Sequence, residues 1–215
     1  MIICAYLLGS IPFALIIARA HGKDLRTIGS GNIGATNLSR ALGRKWAFLC
    51  FFLDALKGLV PMLVATFNLS SPPTITQLFL SLALGCAAIL GHIFPIYIKF
   101  KGGKGVATSF GVALGLWPYY TLPAVIAFAV WAVVVLLSLY MSLSSIVASV
   151  AFPVALILAI LLIPGWYFAN LWPLLIAAVA IPIMVVVRHR ENIKRLIAGT
   201  ESKVLISKLK TDSDQ

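Results

Sequence analysis

Long apolar runs alternate with short polar segments along the whole chain. Three runs come first, Met1 to Ala18, Trp46 to Phe67 and Leu78 to Ile98, and each is close to the roughly 20 residues that a helix needs to cross a bilayer. From Val106 to Val187, 82 consecutive residues contain no Lys, Arg, Asp, Glu or His. This run has room for about four further spans. The pattern therefore predicts an all-α integral membrane protein with seven transmembrane helices.

Turn-forming residues divide the long uncharged run into these spans. They fall at Trp117 to Tyr120, at Ser142 to Ser145 and at Pro164 to Tyr167. The fourth span, Val106 to Leu116, is short for a full crossing. The first run resembles a signal peptide that ends at Ala18-Arg19-Ala20, but no basic residue precedes its apolar stretch, so we expect it to remain as a span.

The composition agrees with a membrane location. Of the 215 residues, 61% are hydrophobic and 11% are charged, whereas a soluble domain carries about 25% charged residues. Lys and Arg outnumber Asp and Glu by 17 to 6, and the formal net charge is +11. A nucleic-acid-binding protein would share the positive charge but not the scarcity of polar residues, so we expect no nucleic-acid partner.

The basic residues also predict an orientation. All 17 Lys and Arg except Lys57 lie in three polar segments, residues 19–45, 99–105 and 188–215. Two predicted spans separate the first segment from the second, and four separate the second from the third. All three segments therefore share one side, which an excess of Lys and Arg marks as cytoplasmic. We expect the N-terminus on the opposite, outer side and the C-terminus in the cytoplasm.

The first polar segment contains GSGNIGATNLSR, residues 29–40. Its G-x-G-x-x-G spacing matches the dinucleotide-binding fingerprint, but that fingerprint requires a preceding strand, which the flanking membrane spans exclude. Glycines still let backbone N–H groups approach an anion, and Arg offers a planar pair of donors. We predict a phosphate-binding segment, and the alternative is an ordinary polar connection. The prediction depends on Ser30, Gly31, Asn32, Thr36, Asn37 and Arg40.

The second polar segment places Lys104 among three glycines immediately before an apolar helix, in FKGGKGVAT. A cationic, glycine-rich loop at a helix start is suited to anions, although the Walker A spacing is not satisfied. We expect Lys104 and the N–H groups of Gly102 and Gly103 to bind phosphate, with Gly105 in the same loop. His92 lies about one turn inside the preceding span, where a lone His is more often a buried hydrogen-bonded residue than a catalyst.

The third polar segment begins where the last span ends, at Arg188. His189 and Asn192 are three residues apart and therefore share one face of a helix. Glu201 is either a solvated charge or the partner of a neighbouring Arg. Cations further along, such as Lys203, are interpreted as membrane-surface charges.

Two charged residues lie inside the second span. Asp54 and Lys57 are three positions apart, and an unpaired charge in mid-membrane costs about 2.5–3.5 kcal/mol. We expect them to pair with each other in the bundle interior, in a structural or a functional role. The three Cys lie far apart in apolar runs and no ligand cluster is present in the sequence, so we expect neither a metal nor a cofactor.

The three polar segments together resemble the PlsY family. Its first motif resembles SGNIGATNLSR at Ser30–Arg40, its second resembles GHIFP and FKGGKGVAT within Gly91–Thr108, and its third resembles RHRENIKRLIAGTE at Arg188–Glu201. The resemblance spans nearly the whole chain in the right order. It implies a bacterial inner-membrane enzyme that transfers a fatty acyl group from acyl phosphate to the sn-1 hydroxyl of glycerol 3-phosphate. The products would be lysophosphatidic acid and phosphate, in phospholipid synthesis.

This resemblance implies one transmembrane acyltransferase domain over residues 1–215, with cytoplasmic motif segments 19–45, 99–108 and 188–215. It implies that Ser30 and Arg40 are required for catalysis, with Lys104, His189 and Asn192 completing the catalytic set. The expected substrate-binding residues are Gly31, Asn32, Thr36, Asn37, Gly102, Gly103, Gly105 and Arg188. Asp54, Lys57 and Glu201 are assigned structural roles.

The same resemblance predicts the partners and leaves the general base open. Acyl phosphate, glycerol 3-phosphate and the lipid bilayer are the expected partners, together with an upstream enzyme that produces acyl phosphate. The base is either His189 or a substrate phosphate oxygen. The alternative function is a transporter or exchanger of organic phosphates, whose site would lie near the bilayer midplane between inverted repeats.

Overall fold

A computed structural model describes residues 1–204. Its regular secondary structure in that range is helical, which confirms the predicted all-α class. Of the expected C-terminal segment 188–215, residues 205–215 lie outside the described residues. The helices are α1 (Ile2–Gly9), α2 (Phe13–Ala20), α3 (Ala35–Leu42), α4 (Arg44–Thr66), α5 (Ile75–Ile93), α6 (Val106–Gly115), α7 (Thr121–Ser138), α8 (Met141–Leu162), α9 (Phe168–Arg188) and α10 (Arg190–Ile197), with a short 3-10 helix at Ile96–Ile98.

Six helical segments in the described part of the chain are long and apolar enough to cross a membrane. The first, Ile2–Ala20, consists of α1 and α2, which are separated at Ser10–Pro12. The other five are α4, α5 with the 3-10 helix, α7, α8 and α9. The fourth predicted span, Val106 to Leu116, coincides with α6, whose 10 residues rise only about 15 Å, half of a bilayer core about 30 Å thick.

Helix α6 lies against α4 at unusually short range. A Cβ atom added at Gly58 of α4 would lie 2.2 Å from the carbonyl oxygen of Thr108 in α6, so only a residue without a side chain permits this approach. The Thr66 hydroxyl, at the end of α4, donates a 2.7 Å hydrogen bond to the carbonyl of Gly115, at the end of α6. Helix α6 therefore begins beside the middle of α4, and the two helices end at the same level.

Most long helices present apolar side chains to the outside of the bundle. Helix α5 with its 3-10 extension is the most enclosed, with 56% of its span buried, compared with 17–33% for the other five. Large apolar side chains such as Leu137 (82% exposed) and Leu162 (76% exposed) recur on the outside of these helices, and extensive exposed apolar surface is typical of a membrane contact. This outer surface has the character expected of a lipid-facing one.

A smaller apolar cluster supports the first polar segment. Buried side chains of α2, α3 and the start of α4 meet there, including Leu15, Leu38 and Cys50. Leu25, in the connection between α2 and α3, is fully buried among them. The cluster anchors both ends of the segment that carries GSGNIG, and so places that segment next to the start of α4.

Candidate active site

Lys104 joins the second and third polar segments. Its Nζ donates a short hydrogen bond to Oδ1 of Asn192, 88 residues away in the sequence, and Nδ2 of Asn192 donates to Oε1 of Glu201 over 2.6 Å. A second link lies alongside, since Nη2 of Arg188 donates to the carbonyl of Gly103 over 2.8 Å. The loop before α6 is thereby fixed to the end of α9 and to α10.

Glu201 is the common acceptor of this network. Its Oε1 also accepts a 2.8 Å hydrogen bond from the Ser142 hydroxyl, and its Oε2 forms a 2.7 Å ion pair with Nε of Arg195. Of the two interpretations of Glu201, the partner of a neighbouring Arg is therefore the one observed. Sequence analysis did not select Ser142 or Arg195, although Arg195 is three residues after Asn192 and on the same helix face.

The site holds more positive than negative charge. Burial lowers the pKa of the Lys104 ammonium to about 8, opposed by Glu201 and reinforced by Arg195, Arg188 and Arg40. Burial alone would raise the pKa of Glu201, but its hydrogen bonds hold that pKa below the usual range. Lys104 thus interacts with three arginines and one carboxylate, and Arg40 is the contribution of the first polar segment. This excess suits phosphate anions.

His189 is neutral at physiological pH. Burial, together with the nearby Lys104 ammonium, lowers the pKa of its imidazole to about 4. Nδ1 lies 2.8 Å from the carbonyl oxygen of Val185. Because a carbonyl can only accept, Nδ1 carries the hydrogen and Nε2 carries the lone pair. His189 is 3% exposed, so its imidazole is buried and not on the accessible surface of the site.

Asn37 holds the first polar segment in shape. Its Oδ1 accepts from the backbone N–H of Ser30 over 3.1 Å, and its Nδ2 donates to the carbonyls of Leu25 and Ile28 over 3.0 and 2.9 Å. With 1% of Asn37 exposed, both amide hydrogens and the oxygen are used internally. The expected substrate-binding role of Asn37 is corrected accordingly: the residue shapes the loop that presents its neighbours.

The neighbours of Asn37 are placed to meet a ligand. The side chains of Ser30, Thr36 and Arg40 are exposed and Asn32 is half-buried. Gly31 has a φ of +67°, which glycine adopts without strain, and its N–H donates to the carbonyl of Ile28 in a turn. The loop therefore offers side chains, with the Gly31 N–H already engaged.

The glycines before α6 allow close backbone packing. The N–H groups of Gly102 and Gly103 donate to the carbonyls of Ile93 and His92 over 3.1 and 3.2 Å. The expectation that these two N–H groups bind phosphate is therefore corrected, because each already has a carbonyl partner. Gly105 has a φ of +84° and precedes the first residue of α6, a conformation that favours glycine.

A buried polar cluster lies behind this loop. Nζ of Lys57 forms a 2.7 Å ion pair with Oδ1 of Asp54, and these side chains are 2% and 4% exposed. Nδ1 of His92 lies 3.6 Å from the same Asp54 oxygen, and Lys57 also donates to the carbonyl of Ile11 over 2.9 Å. The expected pairing of Asp54 with Lys57 is confirmed, and His92 is buried beside it.

An apolar pocket begins directly beyond Lys104. It lies between α6, α7 and α8, with one lining residue from α4 and two, Ile181 and Val185, from α9. Phe110 and Phe128 stack inside it with ring centroids 5.1 Å apart. Its lining residues include Phe51, Val106, Ser109, Phe110, Phe128 and Val185. The apolar pocket therefore begins two residues after Lys104, at Val106.

Comparison with known proteins decides the family. Residues 1–199 match the family model described as glycerol-3-phosphate acyltransferase. The chain belongs to the glycerol-3-phosphate acyltransferase family. Among its acyltransferase relatives, the Aquifex aeolicus protein is 42% identical over 205 residues, covering 94% of this chain and 97% of the relative. The Geotalea daltonii protein is 44% identical over 202 residues, covering 94% and 95%.

Two solved acyltransferase structures share the fold. Both are crystal structures of PlsY, an integral membrane glycerol 3-phosphate acyltransferase. The glycerol 3-phosphate form has a TM-score of 0.81 at 42% identity, covering 94% of this chain and 93% of that one. The lysophosphatidic acid form has a TM-score of 0.78 at 41% identity, covering 94% and 92%. The PlsY resemblance of the motifs is confirmed, and with it a helical membrane acyltransferase.

Proposed function

We propose that this protein transfers a fatty acyl group from acyl phosphate to the sn-1 hydroxyl of glycerol 3-phosphate, releasing lysophosphatidic acid and phosphate. The Lys104–Asn192 hydrogen bond carries the proposal, because it joins two motifs that are 88 residues apart. Arg188 is bonded to the same loop, and Arg40 is near enough to affect Lys104. Each substrate brings a phosphate, and the surplus cations match two anions.

The reaction needs positioning more than acid catalysis. The glycerol hydroxyl oxygen bonds to the acyl carbonyl carbon, the carbon–oxygen bond to phosphate breaks, and its electron pair leaves with phosphate. Since acyl phosphate is a mixed anhydride, phosphate leaves readily. Lys104 and Arg40 hold the phosphates, and Ser30 offers a hydroxyl as a further donor. Each well-aligned donor to the developing oxyanion contributes about 2.7–4 kcal/mol.

A substrate phosphate oxygen is the better proton acceptor. The pKa of His189 is held at about 4, whereas a phosphate monoester has a second pKa of about 6. Burial therefore leaves the imidazole a weak base. We assign the proton of the glycerol hydroxyl to phosphate, while Asn192 orients Lys104 and His189 packs behind it.

The apolar pocket is the proposed site of the acyl chain. Its lining begins at Val106, two residues after Lys104, and continues along α6 to Ala113. A donor whose phosphate lies beside the glycerol 3-phosphate held at Lys104 therefore directs its hydrocarbon chain into the membrane interior. The family assignment and this adjacency both favour acyl transfer over transport of organic phosphates.

We propose seven crossings of the bacterial cytoplasmic membrane, with segments 19–45, 99–108 and 188–215 in the cytoplasm. The position of α6 supports this count. Helix α6 begins beside the middle of α4, and the two helices end at the same level. The distribution of Lys and Arg supports the orientation. An upstream enzyme that makes acyl phosphate would then deliver its product from the same side.

Cysteine labelling tests the orientation. In a cysteine-free background, Lys23→Cys, Lys101→Cys and Lys203→Cys are expected to react with a membrane-impermeant maleimide only after the cells are permeabilised. Asn68→Cys, on the opposite side, is expected to react in intact cells. Reaction of any of the three Lys positions in intact cells would contradict the proposed topology.

Phosphate release tests the reaction. Purified protein is given acyl phosphate with and without glycerol 3-phosphate, and released phosphate and lysophosphatidic acid are quantified together. We expect the two products in equal amounts, near-complete loss with Lys104→Ala, and near-normal rates with Lys203→Ala as the matched control. Transfer that persists in Lys104→Ala, or flux of glycerol 3-phosphate across proteoliposomes without acyl transfer, would contradict the proposal.

A further inference from the structure

The loop that carries Lys104 rests against one side chain. A Cβ added at Gly103 would lie 2.3 Å from Nε2 of His92, with Cε1 and Cδ2 of the same ring as the next nearest atoms, at 3.1 and 3.3 Å. Gly103 does not have a positive φ, so its backbone conformation accepts an L side chain. The His92 ring therefore leaves no space at Gly103 for a side chain.

The opposite edge of the His92 ring is fixed. Its Nδ1 lies 3.6 Å from Oδ1 of Asp54, and Lys57 holds that carboxylate in an ion pair while also bonding the carbonyl of Ile11. His92 is 8% exposed and Asp54 is 3% exposed. The ring therefore packs between the buried Asp54 carboxylate and the backbone of Gly103.

We propose that His92 is a positioning residue for acyl transfer. Its ring fixes the position of the Gly103 backbone, and this position determines where Lys104 contacts substrate phosphate. The inference rests on the proposed function. Three contacts converge on Gly103: the His92 ring, the His92 carbonyl that accepts its N–H, and Arg188 that donates to its carbonyl. Lys104 is the next residue, so a shift of Gly103 moves the ammonium directly.

A size-swap cycle tests this role. Gly103→Ala pushes the loop away from His92, whereas His92→Ala removes the wall. We expect each change alone to lower kcat/KM on the order of 10–100-fold, as small displacements of a substrate-positioning group do, and mainly through the KM for glycerol 3-phosphate. In the double variant the new methyl group occupies space that the ring has vacated. We expect its KM to be lower than that of Gly103→Ala.

Gly102 supplies the matched control. A Cβ at Gly102 would meet the backbone carbonyl oxygens of His92 and Ile93 at 2.2 and 2.5 Å and Cδ of Pro95 at 2.4 Å. Truncation of the His92 side chain removes none of these atoms. We therefore expect Gly102→Ala to be equally impaired with and without His92→Ala. Rescue of both glycine variants, or of neither, would overturn the proposal, as would an unchanged KM in His92→Ala.

Two further measurements keep the test decisive. If His92→Ala does not accumulate as folded protein, His92→Asn takes its place, since it keeps a nitrogen towards Asp54 and withdraws the edge that faces Gly103. The rise in Tm on adding glycerol 3-phosphate reports binding without turnover. The same ranking of variants is expected there, so an enzyme that binds in this order but transfers no acyl group would contradict the proposed function alone.

Discussion

Removal of the negative charge of Glu201 is expected to lower the pH above which activity is lost. In its proposed role Lys104 binds phosphate only while it is protonated, and its pKa is about 8. Activity therefore falls as the pH rises through that value, because the neutral amine replaces the ammonium. Glu201 opposes this loss by raising the pKa of Lys104. Glu201→Gln keeps an oxygen for Asn192 and Ser142 but removes the charge.

The size of the shift follows from the geometry. Glu201 and Lys104 are separated by the side-chain amide of Asn192, with one hydrogen bond on each side. Opposite charges at this separation interact by about 1–2 kcal/mol at an effective dielectric constant near 20–40. One pKa unit corresponds to about 1.4 kcal/mol. We therefore expect the alkaline limb of kcat/KM to move about one pH unit lower in Glu201→Gln.

The assay is kcat/KM against pH, because this quantity reports ionisations of the free enzyme. Spontaneous hydrolysis of acyl phosphate is subtracted at each pH. Glu191→Gln is the matched control: Glu191 lies on α10, ten residues before Glu201, and its side chain is 60% exposed and pairs with Lys194 at 3.5 Å. An equal shift in both variants would refute the reasoning. So would an unchanged limb in Glu201→Gln, or a limb that persists in an active Lys104→Arg enzyme.

Three further outcomes are expected. Arg40→Lys keeps the charge but loses the planar pair of donors, so kcat/KM should fall about 10–150-fold. Full activity in folded protein would show that Arg40 does not bind substrate phosphate through this pair. Asn37→Ala removes three hydrogen bonds worth about 1 kcal/mol each, so Tm should drop, and an unchanged Tm would contradict the loop-holding role. EDTA should leave the rate of acyl transfer unchanged; a loss restored by Mg²⁺ would contradict the metal-free mechanism.

The pattern of apolar residues predicted the helices well but not their interruptions. The first run was expected to be continuous to Ala18, yet the structure divides it at Ser10–Pro12. Apolar periodicity does not register this break, because the residues on both sides are predominantly apolar. The break exposes the carbonyl of Ile11, which accepts from Lys57. A local irregularity therefore satisfies a charge that lies elsewhere in the sequence.

The cationic character of this region was predictable from residue types, but its contacts were not. Spacing cannot reveal that Lys104 bonds Asn192, because the two are brought together by the packing of whole helices. Asn37 and the N–H groups of Gly102 and Gly103 have the polarity of ligand-binding groups, yet they are used inside the protein. Buried polar groups must find partners, and only the fold shows which groups have done so.

The shortness of α6 has a consequence for biogenesis. A stretch of 10 residues falls below the length at which a nascent segment partitions into the bilayer by its own hydrophobicity. Its place in the membrane depends on the glycine-lined contact with α4, which must already be inserted. Lys104 lies just before α6, so the loop acquires its final position only when this docking is complete. We therefore expect maturation of the enzyme to depend on the assembly of α6 against α4 within the membrane.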